Sequence, residues 1–346
     1  MFKKLGWRGA AFASLLAFAS IPAGAQTSEI ESFYAGSTVT ILIGYPPGGS
    51  YDLYAQLAAQ HLGKHIPGKP NVIVQHMPGG GGSLAAAFFA NKAPRDGSMV
   101  ALIPESLAHT QVLEPESSRW DLATMPYIGS FADVTSVMMV RKDSPAQTLE
   151  DMKTIPANVS CSGKTTSSAQ SGAVIKQFAD LKLNMVCGYD SATASVLAVF
   201  RGEADMTSTV WTTWTVNYKA EIDSGAVKPV IQFGVKRLAD LPDVPTAIEI
   251  VDDPAEKQAI EFFAAGGEIG RALMVPPELE AAKYEALKVS FEALVKDPEF
   301  LADAEKRGIP IAPKTADEVN ANVDRILKAP PEVVTLLKDA MEAGFK

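Results

Sequence analysis

From residue 38 the chain repeats one unit: a short β-branched run, a glycine break, then an amphipathic stretch. "TVTILIGY" breaks at "PPGGS" and passes into "YDLYAQLAAQHLGKHI". "PNVIVQHM" breaks at "PGGGGS" and passes into "LAAAFFANKA", and "SMVALIP" is a third strand. In the first amphipathic stretch Leu53, Leu57, Ala58 and Leu62 recur at helical spacing. Asp52 falls in its first turn, where a carboxylate suits the positive end of the helix dipole. Strands separated by crossover helices form a parallel sheet, so this order implies βαβ units. A second series starts near residue 126, with strands at "ANVSCSG", "LNMVCGY", "ADMTSTV" and "KPVIQFGV" and helices between them. The last hundred residues read as mostly helical, punctuated by Pro276-Pro277 and Pro298. The pattern predicts two α/β domains with more than one chain crossing. Ligands of open α/β sheets bind at the carboxyl ends of strands. The loops to watch are therefore "PPGGS", "PGGGGS", "IPES", "SGKTTSS", "GYDSAT" and "TSTVWT".

The N-terminus carries Lys3, Lys4 and Arg8, an apolar run from about Ala10 to Ile21, and then Ala23-Gly24-Ala25. This three-part pattern predicts a cleavable secretory leader over residues 1–25 and export to the periplasm. The apolar run is shorter than a bilayer span requires. The chain's formal charge is -9, and losing the leader's three cations leaves -12. Such an acidic surface speaks against nucleic acid as a partner. It leaves a small anion open, because a ligand responds to its pocket and not to total charge. Cys161 and Cys187 each end an apolar stretch. If the two stretches are neighbouring parallel strands, the thiols meet at one sheet edge. An exported chain then allows either a disulfide or two buried thiols.

"SCSGKTTSSAQSG" ends like a phosphate-gripping loop at Gly163-Lys164-Thr165, but the position five before Gly163 is Asn158 where that motif needs glycine. What remains is a small, hydroxyl-rich loop at a helix start. It suits an anion, with Lys164 adding charge, or serves simply as a helix cap. Gly80-x-Gly82-x-x-Ala85 approaches a dinucleotide fingerprint without its acidic partner, and reads better as a tight turn that admits ligand. His61 and His65 stand at i, i+4, as a metal pair or as a solvated helix face. Trp211 and Trp214 belong to a core or to a cleft edge. Among nucleophile and metal motifs, G-x-S-x-G, H-E-x-x-H and C-x-x-C are all missing.

Seven elements in order carry a family resemblance: Pro46-Pro47-Gly48-Gly49-Ser50-Tyr51-Asp52; "HMPGGGGS"; Pro94-Arg95-Asp96-Gly97; "SGKTTSSAQSG"; "GYDSATA"; Gly202-Glu203-Ala204-Asp205-Met206; and Pro242 to Thr246. The chain resembles the solute receptors of tripartite tricarboxylate transporters, also called Bug receptors. The resemblance implies a type II periplasmic binding protein, with two α/β lobes joined by crossover strands around a ligand cleft. The expected lobes are 26–132 with 246–346, and 133–245. It implies a monomer that needs no cofactor, captures a small carboxylate by lobe closure and hands it to membrane permease subunits. Carried over, the ligand-binding residues are Pro47, Gly48, Gly49, Ser50, Gly81, Gly82, Ser83, Ser162, Gly163, Lys164, Thr165, Thr166, Tyr189 and Asp205. Asp205 accepts from the ligand or holds its own loop. Two departures bear on ligand choice: Lys164 with its threonines, and Asp190 where many relatives carry a cation. The alternatives are a sensor subunit on the same fold and, with less to recommend it, an exported enzyme.

Overall fold

The computed structural model describes residues 23–164 and 166–346. Nearly all of the expected leader, and Thr165, lie outside them. The first lobe opens with α1 (Ala23–Tyr34), β1 (Thr38–Ile43), α2 (Ser50–His61), β2 (Asn71–His76), α3 (Ser83–Asn91), β3 (Met99–Leu102), α4 (Ser106–Leu113) and β4 (Tyr127–Ser130). The second lobe takes β5 (Ser136–Arg141), α5 (Leu149–Thr154), β6 (Ala157–Cys161), α6 (Ser167–Phe178), β7 (Leu183–Cys187) and α7 (Ala192–Phe200). It continues through β8 (Met206–Val210), α8 (Trp211–Asn217), α9 (Lys219–Asp223) and β9 (Val227–Phe233). Then follow α10 (Pro254–Ala264), β10 (Ala272–Met274), α11 (Ala281–Leu294), α12 (Pro298–Lys306), β11 (Lys314–Thr315), α13 (Ala316–Leu327) and α14 (Pro331–Gly344).

The first sheet has the order β11-β4-β10-β3-β1-β2 and the second β7-β6-β8-β5-β9. β1 lies parallel to β2 and β3, and β6 parallel to β7 and β8. β5 and β10, each the first strand after a crossing, run antiparallel to their neighbours. The crossing segments pair with each other: Phe131 N–H donates to the Arg271 carbonyl, Arg271 N–H to Ala132, and Val134 N–H to Gly267. Gly270 sits here at φ +67, and a Cβ on it would stand 2.0 Å from the Ala132 carbonyl oxygen. Only glycine lets the two crossing segments come this close.

Each sheet has its own core. Ile41, Ile43, Phe131, Phe291 and Phe300 are buried against the first, and Met138, Val159, Ile175 and Ile231 against the second. Two C-terminal helices pack across the lobe boundary expected at residue 246. Ile260 and Phe263 of α10, and Val333, Leu337 and Met341 of α14, are buried in the second lobe's core. Lys176 on α6 donates to the Gly344 carbonyl at 3.1 Å. The apolar faces of both helices are therefore covered by the lobe from which their chain segment was excluded.

β6 and β7 align Cys161 with Cys187, and the two are joined in a disulfide with a Cα–Cα distance of 4.4 Å. Trp214 is a core residue whose Nε1–H donates to the Val137 carbonyl, while Trp211 reaches Asp240. His61 and His65 face carboxylates that sequence had not placed beside them, Asp303 and Asp297. The Lys64 ammonium already neutralises Asp297 and Glu299 there.

Candidate functional site

A cleft between the lobes is walled by the segments that follow β1, β3, β6, β7 and β8, at the strands' carboxyl ends. Tyr45, Pro46, Gly49, Ser50 and Tyr51 come from the first glycine break, and Glu105 from "IPES". Ser162, Thr166 and Ser168 come from the hydroxyl-rich loop, Ser191 to Thr193 from "GYDSAT", Thr209 and Val210 from "TSTVWT", and Thr213 from α8 just after it. Ser136 and Arg271 close the back. The cavity measures about 70 Å³, room for about five water-sized groups.

Helix starts dominate the walls. Gly49, Thr166, Ser191 and Val210 all line the cleft, and they are the residues that precede the first turns of α2, α6, α7 and α8. Thr166 and Ser191 accept from the N–H groups of Ala169 and Ala194, which shapes the two N-termini without adding charge. The remaining first-turn N–H groups of each helix have no intrahelical acceptor, and the dipoles place partial positive charge at the same end.

Among the described lining residues, Arg271 and Glu105 are the charged ones, and they neutralise each other. Arg271 Nη1 donates to Glu105 Oε2 at 2.8 Å and its Nε to Ser50 Oγ at 2.8 Å. The guanidinium lies over the Tyr51 ring, 3.8 Å from its centroid, and the Tyr51 hydroxyl donates to Glu105. Burial works against the Arg271 charge, but the facing Tyr51 and Glu105 outweigh it, and its pKa rises. Burial, opposed by Arg271 and aided by Glu105, lifts the Tyr51 phenol well above its ordinary value. Because Ser50 Oγ accepts from Arg271, its own O–H is left to donate.

The lobes touch across the cleft. Asn217 Nδ2 donates to the Gly48 carbonyl at 2.8 Å. Gly163 meets the four-glycine loop so closely that a Cβ on it would lie 3.4 Å from the Gly81 nitrogen. Gly82, at φ +97, packs its α-carbon against Pro104, where a Cβ would come within 2.4 Å of the ring.

The structure brings together Gly49, Ser50, Ser162 and Thr166 of the residues expected from sequence. Pro47, Gly48, Gly81, Gly82, Ser83 and Gly163 stand in the loops around the cleft and do not line it. Three of the expected residues stand away from the cleft lining. Lys164 turns away, its ammonium 5.1 Å from the Phe345 ring centroid. Tyr189 gives way to the residues just after it. Asp205 lies at the amino end of β8, five residues before Val210 and so about 16 Å away along the strand. There Asp205 accepts from the Asn158 N–H at 2.8 Å and faces Arg141 at 3.6 Å, which ties β6 to its neighbours. Sequence reasoning missed Tyr45, Tyr51, Ser136 and Arg271. The usable signal was Arg271 itself, a lone cation opening the apolar run "ALMV", since a buried arginine needs an acid nearby.

Residues 55–291 match the family described as the tripartite tricarboxylate transporter family receptor. A UPF0065 protein of Agrobacterium vitis, from the TAR-I ttuE-ttuC' intergenic region, is 29% identical over 326 residues, 92% of this chain and 87% of its own. Another UPF0065 protein, from the gbd 5' region of Cupriavidus necator, is 28% identical over 70% of this chain and 71% of its own. Among solved structures, the periplasmic binding protein BugD superposes with a TM-score of 0.69 at 20% identity, covering 89% of this chain and 98% of its own. MatC of Rhodopseudomonas palustris, solved with malate, gives 0.67 at 17% identity over 88% and 99%. Rpa4515 of the same organism, solved with adipate, gives 0.69 at 18% over 87% and 97%. These likenesses establish the fold as that of two-lobed periplasmic binding proteins.

Proposed function

The chain belongs to the tripartite tricarboxylate transporter receptor family, and from that premise we propose that it is a periplasmic receptor for a small carboxylate. On this reading it is exported by its N-terminal leader, captures the ligand by lobe closure and delivers it to the membrane subunits of a tripartite transporter. The observation that carries the carboxylate is the meeting of the α2, α6 and α7 N-termini, from both lobes, in one cleft whose charged side chains cancel. Backbone N–H groups, the Ser50 hydroxyl and the helix dipoles neutralise an anion there without a dedicated cation. Because α2 belongs to one lobe and α6 and α7 to the other, the ligand bonds both and favours the closed population. Malate and adipate accompany two of the structural relatives, which supports the ligand class.

The test is a thermal-shift panel of mono-, di- and tricarboxylates, amino acids and sugars on residues 26–346, stripped of co-purified ligand. A ligand at 100 times its Kd stabilises by about 2.7 kcal/mol. A shift confined to carboxylates is expected. A shift with sugars alone, or with no compound, contradicts the reading.

A further inference from the structure

Behind the cleft lies a second, smaller chamber of about 30 Å³, room for two or three water-sized groups. Glu105 and Ser136 line both cavities, so the two adjoin at these residues. The chamber sits at the crossing segments, with Val134, Gly266, Gly267, Phe233 and Phe263 in its wall. Two serine hydroxyls line it, Ser106 at the start of α4 and Ser171 on α6. Both residues are almost wholly buried, at 3% and 1% exposure. Among the described residues neither hydroxyl has a hydrogen-bond partner. A buried hydroxyl without a partner is costly, so two in one cavity point to a polar occupant.

The chemistry of the walls selects that occupant. Glu105 is the charged residue lining the chamber, and Arg271 lies on its cleft side. His109 also lines it, but its Nε2 is engaged with the Phe262 carbonyl at 3.1 Å. Burial holds its pKa down to about 4, so at neutral pH it brings no positive charge. A second carboxylate entering here faces the Glu105 carboxylate, whose Arg271 partner lies on the cleft side. A neutral group that both donates and accepts meets two serine hydroxyls and a carboxylate.

We propose that this chamber is a specificity subsite for an uncharged hydroxyl at the far end of the ligand, which makes the preferred ligand class ω-hydroxy monocarboxylates, not dicarboxylates. The inference rests on the carboxylate reading of the cleft: the helix N-termini take the ligand's one carboxylate, and its tail passes Glu105 and Ser136 to reach Ser106 and Ser171. The volume admits a hydroxymethyl end.

Calorimetric titration at pH 7 with matched sets tests this. Each set holds an unsubstituted acid, its ω-hydroxy acid and the corresponding diacid, at four, five and six carbons. The ω-hydroxy acid should bind at least ~10-fold tighter than both companions at one chain length. In the double variant Ser106→Ala/Ser171→Ala that advantage should shrink to within about twofold. The variant removes two hydroxyls that bond nothing in the protein, so a thermal melt at least as high as the parent's is expected. A diacid that equals or beats the hydroxy acid at every length overturns the subsite, as does an advantage that survives in the double variant. Binding by none of the nine acids overturns the subsite alone if another carboxylate of the panel above binds, and overturns the carboxylate reading itself if only a sugar binds.

Discussion

Arg271 is 1% exposed, and Glu105, Ser50 and the Tyr51 ring surround its guanidinium. Removing one member of a buried pair strands the other, which typically costs 3–5 kcal/mol. Arg271→Gln should therefore lower stability by about that much in urea unfolding. A loss below about 1 kcal/mol would mean that Glu105 finds other support. His109 makes a second prediction at this scale. Its folded pKa lies near 4, below the ordinary value of about 6.5. As pH falls through this window the unfolded chain takes up a proton that the folded chain refuses, so stability falls with it. Urea unfolding at pH 7, 5.5 and 4.5 should show that slope, and His109→Gln should flatten it. An equal slope in the variant would assign the effect to other groups.

At the scale of elements, local pattern and tertiary partner separate cleanly. The strands and glycine breaks were legible because β-branched runs and φ-positive glycines act through their own backbones. The disulfide became possible from two apolar runs ending in cysteine, and the in-register pairing of β6 with β7 joined them. It closes a loop of 26 residues, for which chain entropy gives about 3.5 kcal/mol. Cys161→Ala/Cys187→Ala should lose about 2–4 kcal/mol by chemical unfolding, and a variant as stable as the parent would contradict that. Partners distant in sequence were not legible. Glu105 and Arg271 meet across 166 positions. The amphipathic faces of α10 and α14 showed that each needs a core and not which one. Asp205 belonged to a motif at a strand's start, and a motif does not say which end of the sheet faces the ligand.

Across the whole molecule, a chain with formal charge -9 repels anions at long range, yet its cleft gathers helix N-termini from both lobes. On the proposed reading, attraction for a carboxylate is local and directional, delivered by oriented N–H groups and not by net charge. The lobes already touch through Asn217 and Gly48 and through Gly163 and the four-glycine loop, so a ligand between them adds to contacts that favour closure. The most direct measurement is calorimetric titration of residues 26–346 with the best acid from the ligand panel and, separately, with its primary amide. The amide keeps the shape and removes the charge. The acid should bind at least ~100-fold tighter, because charged hydrogen bonds are about twice as strong as neutral ones and several converge here. Equal affinity for acid and amide would contradict it.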